Sequence, residues 1–296
     1  MCAKEIPPQV TLKNSPLFRL SLSSKELFHS NFLEWLYSVD KNAFKQLINS
    51  MAGQEPDTDW GNKKWCVKRE FNNFDLCIVA YDNNSTEDIH DDDEEVDDNQ
   101  ISHVLFVIEN KVKSIPYKEQ LIKYAQKVSK INKNTSDATY ILLTLTQIVP
   151  DNLKGENPWI IQWTETKRKK EITKKCSWQV CSYSYYCEKI KLYYNQFVNE
   201  EETVAYLLND YLSFIGSLTQ LSNIWADDYS DMQKPFITNV DNYSIAKQLR
   251  IHDLYQKQKF SFLCTELYKA IKKDYNDYTV FPSNQGGLFK DRKSVV

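Results

Sequence analysis

The run Val104–Ile108, five apolar residues in succession, breaks off abruptly in Glu109, Asn110 and Lys111. A run this short, rich in β-branched and aromatic residues, reads as a buried strand. Charged groups are costly in an apolar interior, so a buried strand that delivers a carboxylate and an ammonium at its end is a poor way to build a core and a good way to build an active site. Glu109 and Lys111 are two apart and therefore share one face of an extended strand. Gln120 and Tyr124 follow, four apart, and lie together on a helix expected over 117–131. Leu121, Tyr124, Ala125 and Val128 give that helix its apolar face.

The segments around this strand fall into a mixed order. Residues 1–16, with Pro7, Pro8 and Pro16, read as an irregular lead-in. Ser23 and Glu26 form a capping-box pattern ahead of a helix carrying Leu27, Phe28, Phe32, Leu33 and Leu36. Glu26, His29 and Asn31 lie in its first turns, and Glu26 and Ser30 share a face. A second amphipathic helix is expected over 42–51. From Trp65 the pattern becomes strand, with a turn at Asn72-Asn73 and a second strand over Phe74–Ala80 broken only by Asp75. Another buried strand is expected over 140–145, and one more over 159–163. Helix, three strands, helix, strand is an α/β layout with a helix crossing over the sheet.

Composition removes several alternatives. Hydrophobic residues at 42% and charged residues at 26% suit a globular domain. No apolar stretch approaches the roughly 20 residues of a membrane span, and the first fifteen residues lack a signal-peptide pattern, so cytoplasmic residence is expected. The seven cysteines are scattered; Cys176, Cys181 and Cys187 have neither C-x-x-C spacing nor a neighbouring histidine, so reduced thiols are expected. Six glycines form no phosphate-cradling loop. Nine acids crowd into residues 87–98; without them, the 40 acids fall to 31 against 37 basic residues. The rest of the chain is thus basic, and the acidic block reads as a solvated insertion.

Asp75 and Glu109 fall on neighbouring strands of one expected sheet. Two adjacent carboxylates repel unless a cation lies between them. Oxygen donors without Cys or His favour Mg²⁺ or Mn²⁺ over zinc. Lys111 beside them can orient a water and neutralise a phosphate. Two acids and a lysine around a metal are the parts that phosphodiester hydrolysis needs. A structural Asp75 with a surface Glu109–Lys111 edge is the plainer alternative.

The segments F-D-L-C-I-V at 74–79, V-I-E-N-K at 107–111 and Q-L-I-K-Y at 120–124, with E-L-F-H-S-N-F-L-E-W-L at 26–36, together resemble the PD-(D/E)XK nuclease superfamily. The likeness is to an uncharacterised bacterial group with a Q-x-x-x-Y element, and it covers roughly 17–190. It implies an α/β fold: a restriction-endonuclease-like αβββαβ core, with a mixed central sheet flanked by helices and a C-terminal helical extension. It implies that Asp75, Glu109 and the Asn110 carbonyl bind Mg²⁺ or Mn²⁺ and that Lys111 is catalytic, with Glu26, Gln120 and Tyr124 in support. The function so implied is metal-dependent hydrolysis of DNA. The alternative is a catalytically silent nuclease-fold module that binds nucleic acid or protein in a defence or mobile-element system. A second copy of the chain or a defence-system component would be the protein partner, and no membrane is implied. No proline precedes Asp75, and the acidic insertion over 83–101 departs from the family pattern.

The remaining residues read as accessories. Lys167, Arg168, Lys169 and Lys170, then Lys174 and Lys175, stand near Trp159, Trp163 and Trp178, a composition suited to phosphate contact and base stacking. A solvated basic loop accounts for them equally. Tyrosines crowd 183–194, fitting either packing or a nucleic-acid groove. Helical patterns over 200–225 and 243–274 suggest a subdomain over 191–296. Its last residues read as a hairpin cut short, so a truncated C-terminus is expected.

Overall fold

The computed structural model describes residues 6–22, 26–61, 64–81, 97–112, 114, 116–133, 138–145, 157–167, 170–197, 202–227, 240–259, 278–282 and 289–293. Four helices come first: α1 (Pro8–Asn14), α2 (Pro16–Ser21), α3 (Leu27–Val39) and α4 (Lys41–Met51). Strands β1 (Lys64–Arg69), β2 (Leu76–Tyr81) and β3 (Ile101–Lys111) follow. Next are α5 (Lys118–Ile131) and β4 (Thr139–Thr144), then β5 (Trp159–Lys167) and β6 (Lys170–Ser182). Helices α6 (Tyr183–Tyr193), α7 (Glu202–Asp227) and α8 (Val240–Gln248) precede a helical stretch at 252–259. A separate hairpin of β7 (Tyr278–Pro282) and β8 (Phe289–Lys293) completes the described elements.

The molecule is an α/β structure around one six-stranded mixed sheet, in the order β1-β2-β3-β4-β6-β5. The first three strands are antiparallel neighbours; β4 is parallel to both β3 and β6, and β5 is antiparallel to β6. Helix α5 makes the crossover from β3 to β4, the connection parallel strands require. Strands β2 and β4 are apolar at successive positions because both faces of the sheet are covered. Leu76, Ile78, Ile108, Ile141 and Leu143 pack with α3, α4, α6 and α7 on one side. Cys77, Val79, Val107, Tyr140 and Leu142 pack with α5 on the other.

Several expectations are corrected. The lead-in over 1–16 holds α1 and the start of α2 rather than an irregular chain. A proline at the start of α1 and of α2 fits the first helical turn, whose N–H groups lack intrahelical partners. Ser15 Oγ accepts from Phe18 N at 3.0 Å, and Asp210 of α7 accepts from Leu17 N at 3.0 Å. Leu12 and Phe18 thereby enter the same core as Tyr211 and Phe214. The boundary drawn at 190 falls inside α6. The acidic insertion does not reach 101 intact: Asp97 caps a 3₁₀ turn over Asp98–Gln100, and Ile101 already belongs to β3. Residues 82–96 and Ser23 lie outside the described residues. The helical pattern over 243–274 is interrupted after α8, where Arg250 has φ 59°. Strand β8 has its partner in β7, so the final hairpin is paired.

The largest omission is β6. Its first half, Lys170–Lys175, is so charged that it reads as a loop. In the fold those residues pair only with β5, and just Trp178–Ser182 enter the sheet interior beside β4.

Candidate active site

Strand β3 ends beside β4, with Lys111 opposite Thr144 and Leu145 N donating to Lys111 O at 3.0 Å. Across the antiparallel ladder Leu76 pairs with Ile108, which sets Asp75 next to Glu109. The β1–β2 turn that delivers Asp75 uses left-handed backbone at Glu70, Asn72 and Asn73. Asparagine tolerates this conformation, so the turn expected at Asn72-Asn73 is present, although β2 begins two residues later than expected.

Period-two alternation then divides three consecutive residues between the faces of the sheet. Glu109 and Lys111 face α5. Asn110 points to the α3 side, where its Nδ2 donates to Ser30 Oγ at 2.7 Å. Its backbone N–H donates to Asp75 Oδ2 at 2.8 Å. Glu109 is 0% exposed and Lys111 is 5% exposed. Lys111 Nζ contacts Glu109 Oε1 directly. Gln120 Nε2 donates to the same oxygen at 2.7 Å and to the Tyr124 hydroxyl at 2.9 Å. The i, i+4 pair on α5 thus meets Glu109, as the spacing predicts.

Glu26, at the start of α3, completes the surround. Its Oε1 accepts from Ser114 N at 3.1 Å and from the Ser114 hydroxyl. Glu26 makes no side-chain cap on its own helix. His29 is an interior group: it is buried, its Nδ1 is 2.9 Å from the Tyr211 hydroxyl, and burial drives its pKa down to about 3.

The electrostatics follow from burial. Desolvation, then the neighbouring Asp75 carboxylate, push Glu109 up to about 8 against the opposing pull of Lys111. Burial also raises Asp75, with the Asn110 N–H and Lys111 opposing. Burial acts to lower Lys111, but Glu109, Glu26 and Asp75 outweigh it and hold the ammonium above its ordinary value.

Glu109 Oε2 is buried with no hydrogen-bond partner among the described residues. An unpartnered carboxylate oxygen beside a second carboxylate fits a hard divalent cation, with Asp75 and Glu109 as its protein oxygens. Among the described residues no group of three or more His, Cys, Asp or Glu is arranged to hold a metal. A two-carboxylate set leaves further positions to water, backbone oxygen or substrate phosphate, the usual condition of Mg²⁺. The Asn110 side chain lies on the opposite, α3 face of the sheet, so only its backbone oxygen could join them.

The basic run is not part of this cluster. Lys167 pairs with Lys170 at the tip of the β5–β6 hairpin, and Arg168 and Lys169 lie outside the described residues. Strand β6 meets the site end of the sheet at Ser182, opposite Thr144. Lys170 is therefore about 40 Å away along the strand. Trp159 and Trp178 are core residues, and Trp163 Nε1 donates to Glu165 at 2.9 Å. These indoles do not form the base-stacking surface that the sequence suggested. Tyr183, Tyr186 and Tyr194 are likewise interior.

Two site residues owe their place to tertiary contact. Ser30 shares the Glu26 face, yet its partner stands 80 residues away. Ser114 carries no local signal. The core residue Tyr183 has no hydrogen-bond partner for its hydroxyl among the described residues; burial first, then Tyr186, Glu26 and Asp75, raise its pKa.

No protein-family model, no curated protein and no solved structure matches the chain. No helix among the described residues is long and apolar enough to cross a membrane.

Proposed function

We propose that the chain is a divalent-metal-dependent nuclease that hydrolyses phosphodiester bonds of DNA. The observation that carries this reading is the convergence of Asp75, Glu109 and Lys111 at one strand end, with a buried carboxylate oxygen left unpartnered. The element order α3, β1, β2, β3, α5, β4 supports a restriction-endonuclease-like αβββαβ core, with α4 inserted after the first helix. The resemblance to PD-(D/E)XK nucleases in the same residues supports the choice of substrate.

Asp75 and Glu109 would hold Mg²⁺ or Mn²⁺, which when bound lowers the pKa of a coordinated water and polarises the phosphate. Lys111 offers a cation to the phosphate oxygens and a donor that orients the attacking water. Gln120 fixes Glu109, and Tyr124 fixes Gln120. Glu26 holds the segment after Lys111 through Ser114. A water oxygen joins phosphorus as the sugar oxygen leaves.

The test is cleavage of linear, circular and single-stranded DNA and of RNA in Mg²⁺, Mn²⁺ or EDTA, beside Asp75→Ala and Lys111→Ala. Metal-dependent cleavage of DNA is expected, falling by about a hundredfold or more in both variants. Wild-type protein that cuts nothing, or variants that cut undiminished, would overturn the reading. A second reading, a silent binding module, draws on the commitment of Lys111 to Glu109 and of Glu26 to Ser114. DNA binding without turnover would select it.

A further inference from the structure

We infer that Ser30 is a positioning residue for the metal-binding carboxylate Asp75, acting through Asn110. The inference rests on the metal-dependent reading above. Both Ser30 and Asn110 are 0% exposed. Asn110 is the one polar side chain that β3 buries on its α3 face, where Phe106 and Ile108 precede it. Its Oδ1 has no hydrogen-bond partner among the described residues. A half-satisfied buried amide is costly where an apolar residue would pack as well. Costs of this kind concentrate where function requires them.

The requirement is legible in what Asn110 connects. Its side chain is held by Ser30 at 2.7 Å, and its backbone N–H holds Asp75 Oδ2 at 2.8 Å. One residue therefore links α3, the end of β3 and the first carboxylate. Glu26, one turn before Ser30, grips the same segment at Ser114. The start of α3 thus fixes the chain on both sides of Lys111. The Ser30 hydroxyl oxygen accepts from the strand, a tie outside its own helix. Truncating Ser30 removes the side-chain tie between α3 and the end of β3, so the strand end that carries the N–H to Asp75 is held less firmly.

The experiment measures Mn²⁺ affinity by electron paramagnetic resonance for wild type, Ser30→Ala, Asn110→Ala and the double variant, with thermal melting in EDTA as the folding check. Ser30→Ala is expected to melt cooperatively yet bind Mn²⁺ about tenfold more weakly, the scale of lost support behind a metal ligand. The double variant should bind no more weakly than Asn110→Ala alone, because both changes break one linkage. Ser30→Cys, which keeps the buried volume but is a weak acceptor, should show the same loss if Ala disturbs folding. Wild-type affinity in Ser30→Ala and Ser30→Cys, or losses that multiply in the double variant, would reduce Ser30 to packing and sink the inference alone. A wild-type protein that binds no Mn²⁺ would sink the metal-dependent reading and this inference together.

Discussion

Glu109 holds its proton more tightly in the folded chain than in the unfolded one, because burial and Asp75 both oppose its charge. Its contribution therefore favours the folded state fully below the ordinary value of 4.5 and is lost as pH rises through about 8. Glu109→Gln removes that loss. In EDTA the variant should be more stable than wild type at pH 8.5, and the gap should close near pH 4. Urea unfolding at the two pH values checks it. At this scale the sequence was legible wherever the chemistry was local. Glu109 with Lys111, and Gln120 with Tyr124, were readable because period two and period four bring near neighbours onto one face. Ser30 and Ser114 were not, because tertiary packing alone brings their partners to them.

At the scale of elements, the readable ones were those whose apolar pattern matched their environment. Strands β2, β3 and β4 are buried on both faces and read as continuous apolar runs. Helices α1 and α2 hid behind prolines that mark helix starts as readily as breaks. The charged half of β6 hid because it faces only one neighbouring strand. Caps are a separate signal. Asp40 accepts from Asn42 N at 2.7 Å and Ala43 N at 2.9 Å at the start of α4. Asp40→Ala should cost about 1 kcal/mol, measured by chemical denaturation. Tyr194 also approaches the Asp40 backbone, but that contact uses the carbonyl and survives the substitution.

The whole molecule is held by one sheet with a core on each side, and the N-terminal helices belong to the larger core. Deleting residues 1–21 strips Leu12, Leu17 and Phe18 from α7. Burial of three such side chains is worth on the order of 5 kcal/mol, comparable to the net stability of a domain. The truncated chain is expected to lose its cooperative melt by circular dichroism. Divalent metal should act in the opposite direction. Saturating Mn²⁺ should raise the melting temperature, and more at pH 8.5 than at pH 6, since the cation must displace the proton of Glu109. An equal rise at both pH values would argue against Glu109 as a ligand. The domain plan could not be read in full from the sequence, because residues near both ends of the chain share one interior. The long hairpin of β5 and β6 has its own consequence. It places its basic tip and the carboxylates at opposite ends of a stiff ruler about 40 Å long, close to 12 base-pair rises of 3.4 Å. For the DNA substrate proposed above, length rather than base sequence would then decide whether one duplex touches both ends, and shorter oligonucleotides would meet only one of them.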